Sequence, residues 1–134
     1  MIEVVLDASV VLKWFVASEE PGRDEALALR AEYEAGRLVV VVPSLLHLEL
    51  VNVAARRWGW GEGALLDLAS GLEDLRFELA EPGLAAVAAW SARGLTAYDA
   101  AYVAVAEERG IELVSDDRSI LAAVGSIARP LVQS

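Results

Sequence analysis

Apolar positions along this chain alternate between short β-like runs and longer stretches spaced as helices are. Glu3–Leu6 is a β-branched run too short for a helix, and Leu38–Val42 is a second run, apolar enough to be covered on both faces. Ser9–Ala17 carries Val10, Leu12 and Trp14 at helical positions and closes at Pro21-Gly22. Arg23–Ala35 mixes Ala26, Leu27, Leu29 and Tyr33 with Glu and Arg and stops at Gly36. Pro43-Ser44 opens an apolar helix running through Arg57, interrupted by Trp58-Gly59-Trp60-Gly61, and another helix runs from Glu62 to about Asp74. Arg76–Leu79 reads as a modest strand, Pro82-Gly83 as a turn, and Leu84–Arg93 as a helix stopped by Gly94. Thr96 is an N-cap with Asp99 in the first turn, and Ala-rich sequence continues to Arg109 before Gly110. A strand at Glu112–Ser115, a helix at Arg118–Val124 and a last strand near Pro130–Val132 complete the pattern.

Strands alternating with helices of this length pair in parallel through right-handed crossovers. The expected fold is an α/β class, three-layer α/β/α sandwich with a central parallel sheet, and ligands in such folds bind beyond the carboxyl ends of the strands. No linker or repeat divides the chain, so a single domain over 1–134 is expected.

Composition narrows the chemistry. With 134 residues and 56% apolar content there is enough to build one core, and no Cys means no disulfide framework, thiolate metal site or cysteine nucleophile. The N-terminus lacks a basic segment and no apolar run nears the ~20 residues of a spanning helix, so a soluble, cytoplasmic protein without a membrane partner is expected. Eleven basic residues against 21 acidic ones give a net charge of −10, which argues against long-range capture of phosphate.

The placement of some acids changes that picture. Asp7 follows the first strand directly, and Asp116 and Asp117 follow the strand at Glu112–Ser115, so all three fall at one sheet edge. Glu49 and Asp99 each stand alone in apolar helical sequence near that edge, unlike acids on a solvated face. Two carboxylates about 5 Å apart repel by on the order of 3 kcal/mol at an effective dielectric of ~20. Either some hold protons or a cation neutralises them, and hard oxygen ligands without His or Cys suit Mg²⁺ or Mn²⁺. Such ions typically act on phosphates. Taken singly, Asp7 could merely cap a helix and Asp99 could answer the helix dipole, whereas Glu49 needs a partner. His47, two residues from Glu49 on another face, is a poor general base for such a site.

Together these residues form a recognisable combination: Val5-Leu6-Asp7-Ala8-Ser9, Pro43-Ser44-Leu45 leading to Glu49-x-x-Asn52, Thr96-Ala97-Tyr98-Asp99, and Ser115-Asp116-Asp117. In this order it resembles the PIN-domain ribonucleases, and most of all the VapC-type toxins of toxin–antitoxin pairs. The resemblance implies a metal-dependent endoribonuclease whose catalytic, Mg²⁺- or Mn²⁺-holding residues are Asp7, Glu49, Asp99 and Asp117. The family pattern selects Asp117 over Asp116, although the double acid leaves room for either. Ser9, Asn52, Ser115 and Asp116 would then support or orient the ligands and the substrate. The implied partners are an RNA substrate, transfer or ribosomal RNA by family expectation, a cognate antitoxin that covers the acidic pocket with a basic side chain, and a second copy in a homodimer.

Arg56 and Arg57, beside Trp58 and Trp60, form the one compact basic–aromatic segment and are candidate RNA contacts, although tryptophans beside a Gly turn also fill cores and dimer seams. Two other readings compete. One is a non-catalytic PIN-like interaction module, which has no need of all four acids. The other is a different Mg²⁺-dependent α/β phosphohydrolase or a receiver domain, against which stand Ser9, where a second acid is expected, and the lack of a late Lys. One or two divalent cations would bring the charge from −10 to about −8 to −6.

Overall fold

The computed structural model describes residues 1–16 and 20–132. Five parallel strands, β1 (Ile2–Leu6), β2 (Leu38–Val42), β3 (Glu78–Leu79), β4 (Glu112–Val114) and β5 (Ala128–Arg129), form one sheet in the order β3-β2-β1-β4-β5. Helices α1 (Ala8–Phe15), α2 (Arg23–Glu34), α3 (Leu45–Arg56) and α4 (Glu62–Leu75) fill the connections that step from β1 to β3. Helices α5 (Leu84–Ala92), α6 (Ala97–Arg109) and α7 (Arg118–Val124) fill those that return through β4 to β5.

Each set packs mainly within itself: α1 packs on α2 and α3, and α3 on α4, while α5 and α7 both pack on α6. Reversing the direction of travel moves right-handed crossovers to the opposite face, which yields the three-layer sandwich. The reversal lies between β1 and β4, the switch point at which open α/β sheets leave a crevice. Val5, Leu6, Val40, Val41, Val42, Leu113 and Val114 are buried from both sides, as expected of parallel strands between helices. Among the described residues no helix is long and apolar enough to cross a membrane.

Three expectations shift. Arg76 does not begin a strand: it ends α4 in the left-handed region at φ 52°, so only Glu78 and Leu79 pair with β2, while Phe77 enters the core. The last strand falls at Ala128–Arg129, not near Pro130–Val132. Pro130 has no N–H for a ladder, and Leu131 is apolar because it is buried, not because it is a strand residue. The first helix ends at Phe15, with Val16 already extended, and the expected end at Ala17 lies outside the described residues.

Helix α1 is fixed by Trp14, whose indole N–H donates to the Ala26 carbonyl at 2.8 Å and whose ring meets Phe77 edge-on at 5.8 Å. That anchoring holds the start of α1, and with it Asp7 and Ser9, against the sheet edge. Gly22 enters α2 at φ 89°, and a Cβ there would stand 3.2 Å from Asp116 Oδ2 and 3.3 Å from Leu131 Cδ1, so this turn closes on the segment after β4.

Candidate active site

Asp7 occupies the first position beyond β1 and caps α1, accepting the Val10 N–H at Oδ1. The capping and site readings of this residue are therefore compatible. Oδ1 also accepts the Ser9 hydroxyl at 2.6 Å, and Oδ2 accepts the Ser115 hydroxyl from the end of β4. Only 4% of Asp7 is exposed. Burial pushes its carboxyl up to about 6; the hydrogen bonds from Ser115, Ser9 and Val10 oppose that shift and the charge of Asp117 adds to it.

Glu49 projects from the second turn of α3. Its Oε1 accepts the Tyr102 hydroxyl at 2.9 Å, from a ring that is 1% exposed on α6. Burial raises the Glu49 carboxyl above its usual range against the pull of Tyr102, and Asp99, Asp7 and Asp117 raise it further. Asp99 sits in the first turn of α6, whose Thr96 cap accepts the Asp99 N–H at 3.0 Å. Its carboxyl is raised by burial and by Asp117, and lowered by the Thr96 hydroxyl. Burial also drives the Tyr102 hydroxyl well above its ordinary value, helped by Glu49, Asp7 and Asp99, so Tyr102 is held as a proton donor.

The paired acids after β4 turn different ways. Asp117 caps α7 through Oδ1, which accepts the N–H groups of Ser119 at 2.8 Å and Ile120 at 3.1 Å. Its backbone N–H donates to Ser115 Oγ at 2.9 Å, and its charge is felt at Asp7, Glu49 and Asp99. Asp116 instead accepts the Leu131 N–H at 3.3 Å, faces Lys13 Nζ at 3.4 Å and donates its own N–H to Ser9 Oγ at 3.0 Å. Ser9 thus bridges Asp7 to Asp116, and Ser115 bridges Asp7 to Asp117.

Asp7, Glu49, Asp99 and Asp117 therefore come from four separate elements and share one field. Asn52 lines a concavity of 520 Å³ with Glu49, Asp99, Leu48, Thr96 and Tyr98, on the outer flank of the acids. Arg56 and Arg57 are exposed at the end of α3 and form no ion pair among the described residues. Tyr102 was legible in the sequence only as an apolar helix residue, though its spacing three residues after Asp99 places both on one face of α6.

Among the described residues no three His, Asp or Glu side chains stand close enough to enclose a metal ion, so the acids face one another without forming a finished cage. The donor set nevertheless fits a hard divalent cation. It offers carboxylate oxygens alone, three of them carrying carboxyls whose charged form burial disfavours, and a cation would relieve that cost. Asp7, Glu49, Asp99 and Asp117 are the residues that would have to converge further to hold it.

A family model described as the PIN domain matches residues 4–125. Among solved structures, PAE2754 from Pyrobaculum aerophilum is similar at 26% identity and a TM-score of 0.67, over 97% of this chain and 90% of that one. A toxin–antitoxin complex from Klebsiella pneumoniae is similar in fold at 16% identity and a TM-score of 0.61, over 98% of this chain and 99% of that one. FitAcB from Neisseria gonorrhoeae follows at 16% identity and a TM-score of 0.60, over 93% and 95%. No curated protein sequence matches significantly. The chain belongs to the PIN domain family.

Proposed function

We propose that this chain is an endoribonuclease that hydrolyses RNA phosphodiester bonds with Mg²⁺, or Mn²⁺ in its place, and that it is the toxin of a toxin–antitoxin pair. The observation that carries the reading is the convergence of Asp7, Glu49, Asp99 and Asp117 on one field at the switch point of the sheet. A structural acid at any one position has a local explanation; four that repel one another do not stabilise a fold.

Asp7, Glu49, Asp99 and Asp117 would hold the divalent cation, which when bound would supply charge stabilisation at a phosphate and a lowered pKa for water. Ser9 and Ser115 fix both oxygens of Asp7, so its orientation is set before substrate arrives. Tyr102 ties down Oε1 of Glu49 and leaves Oε2 to orient a water or accept its proton. Asp117 commits Oδ1 to capping α7, which leaves Oδ2 for the cation. Asn52, at the rim, is placed to meet the RNA backbone. No side chain here needs to attack phosphorus, so hydrolysis proceeds without a covalent enzyme intermediate.

The antitoxin belongs to the same reading. Leu48 and Tyr98, 74% and 66% exposed, stand beside Glu49 and Asp99, which suits a partner segment carrying both a basic and an apolar side chain. The fold shared with a chain from a toxin–antitoxin complex supports this. A cytoplasmic homodimer built from one PIN domain per chain, acting on transfer or ribosomal RNA, completes the proposal. Cleavage of structured RNAs with Mg²⁺, with Mn²⁺ and with EDTA tests it: activity restricted to the metal arms and absent from Asp99→Asn supports the reading, and equal activity in that variant overturns it.

A further inference from the structure

A second cleft, of 220 Å³, opens beside the acid cluster between α1 and the C-terminal end of α3. Its polar lining is Ser9, Lys13, Glu20 and Arg57, with Trp58 and Leu12 as apolar walls. Ser9 belongs to both sites, since its hydroxyl donates to Asp7 Oδ1 at 2.6 Å. The cleft is thus continuous with the acids and one residue away from them.

Its chemistry differs from the rest of the surface. In a chain of net charge −10, the only lysine and one of ten arginines meet at this cleft. Lys13 is 12% exposed and its ammonium stands 3.4 Å from Asp116, 3.8 Å from Glu20 and 3.4 Å from the Ser9 carbonyl. Those contacts are longer than the roughly 2.7–2.9 Å of a tight charge-assisted hydrogen bond, so the head group is positioned while keeping donors for an anion. Arg57 lies exposed on the α3 side.

Trp58 supplies a flat face. It is 37% exposed, with its ring 5.5 Å from that of Trp60, and the backbone N–H groups of Trp58 and Trp60 donate to the Val53 and Ala54 carbonyls at the end of α3. Trp60 packs on the core and buttresses the outer indole. Cations for a phosphate beside an aromatic face for a base are what a single-stranded nucleic acid requires, and a core tryptophan would not be left at the rim of a charged cleft.

We propose that this cleft is a nucleotide subsite for single-stranded RNA, in which Arg57 and Lys13 hold a phosphate and Trp58 stacks on a base next to the nucleotide at the acids. The proposal rests on the ribonuclease reading for what happens next door, and on binding alone for its own test. It separates Arg57 from Arg56, which is not on the lining.

The test is equilibrium binding of a labelled single-stranded RNA of about ten nucleotides to the full chain carrying Asp99→Asn, across a salt series. Arg57→Ala is expected to weaken binding and to reduce the salt slope by about 0.7, as loss of one phosphate contact on a single strand does. Trp58→Ala is expected to weaken binding about fivefold or more with the slope unchanged, and Trp58→Phe to restore most of it. Arg56→Ala serves as the control and leaves both quantities unaltered, and thermal melts show whether each variant is folded. Folded Arg57→Ala and Trp58→Ala proteins that bind RNA like their parent overturn the subsite. So does a parent that binds no RNA, or variants that lose only a protein partner. If the native chain cleaves no RNA with any metal while these variants lose affinity, the subsite stands and the nuclease reading falls.

Discussion

The hydroxyl of Tyr102 donates to Oε1 of Glu49 at 2.9 Å, joining the middle of α6 to the second turn of α3 beneath the acid cluster. Tyr102 is buried with its hydroxyl pushed well above its ordinary value, so it stays a neutral donor and this bond favours the charged form of Glu49. Tyr102→Phe keeps the ring and removes the donor. The Glu49 carboxyl then rises further, so the acidic limb of a pH–rate profile for RNA cleavage is expected to move to higher pH, with stability lowered by about 1–2 kcal/mol. An unmoved limb in a folded variant would show that Tyr102 does not set the state of Glu49.

Asp7 should make the metal-free protein less stable as pH rises. Burial pushes its carboxyl up to about 6 in the folded chain from an ordinary 3.8, so the folded state holds the proton more tightly. The stabilisation is complete below about pH 4 and is lost as pH rises to about 6, leaving a cost of about 3 kcal/mol at pH 7. Glu49 and Asp99 act in the same direction. Denaturant unfolding in EDTA at several pH values measures the slope, and Asp7→Asn is expected to flatten it. An equal slope in that variant would place the proton elsewhere.

A divalent cation should reverse this loss. If it binds the folded acids and not the unfolded chain, saturation to about a hundred times Kd adds about 2.7 kcal/mol of stability. The melting temperature is expected to rise with Mn²⁺ or Mg²⁺, more at pH 7.5 than near pH 5, where protons compete. Asp99→Asn should blunt the rise. A pH-independent increase that survives in Asp99→Asn would indicate binding outside the cluster.

The two acids after β4 are separable by experiment. Asn caps a helix about as well as Asp, so Asp117→Asn should fold normally while losing most metal-dependent cleavage. Asp116→Asn loosens the contacts with Lys13 and Leu131 and is expected to cost about 1 kcal/mol of stability while retaining cleavage. The reverse pattern would assign the metal-facing role to Asp116.

What the sequence made legible follows from the physics of each signal. The parallel sandwich was readable because continuous Val-rich runs such as Leu38–Val42 occur only where both faces are covered. Asp7 and Asp117 were readable because they end strands, where chain order alone brings them to one edge. The last strand was not: burial of Leu131 mimics strand character, and only pairing with β4 reveals that Ala128–Arg129 carries the ladder. The division of labour between Asp116 and Asp117 was equally hidden, since it depends on Lys13 and Leu131, remote in sequence. Tyr102 looked like core because it is core; its hydroxyl acquires a role only when α3 places Glu49 above it. The cleft at Lys13, Arg57 and Trp58 needs α1 and the end of α3 side by side, a juxtaposition that local pattern does not encode.

Single-turnover cleavage of RNA by the native chain and by Asp99→Asn, each with Mg²⁺, Mn²⁺ or EDTA, tests the central claim most directly. Asp99→Asn keeps the backbone N–H that the Thr96 hydroxyl accepts and puts an amide of the same shape in place of the carboxylate, so the variant should keep the fold of α6. Cleavage by the native chain in both metals, none in EDTA, and a loss of a hundredfold or so in Asp99→Asn is the predicted result, on the order of one lost transition-state charge contact. Cleavage that persists in EDTA, or that a folded Asp99→Asn protein carries out at the native rate, would contradict it.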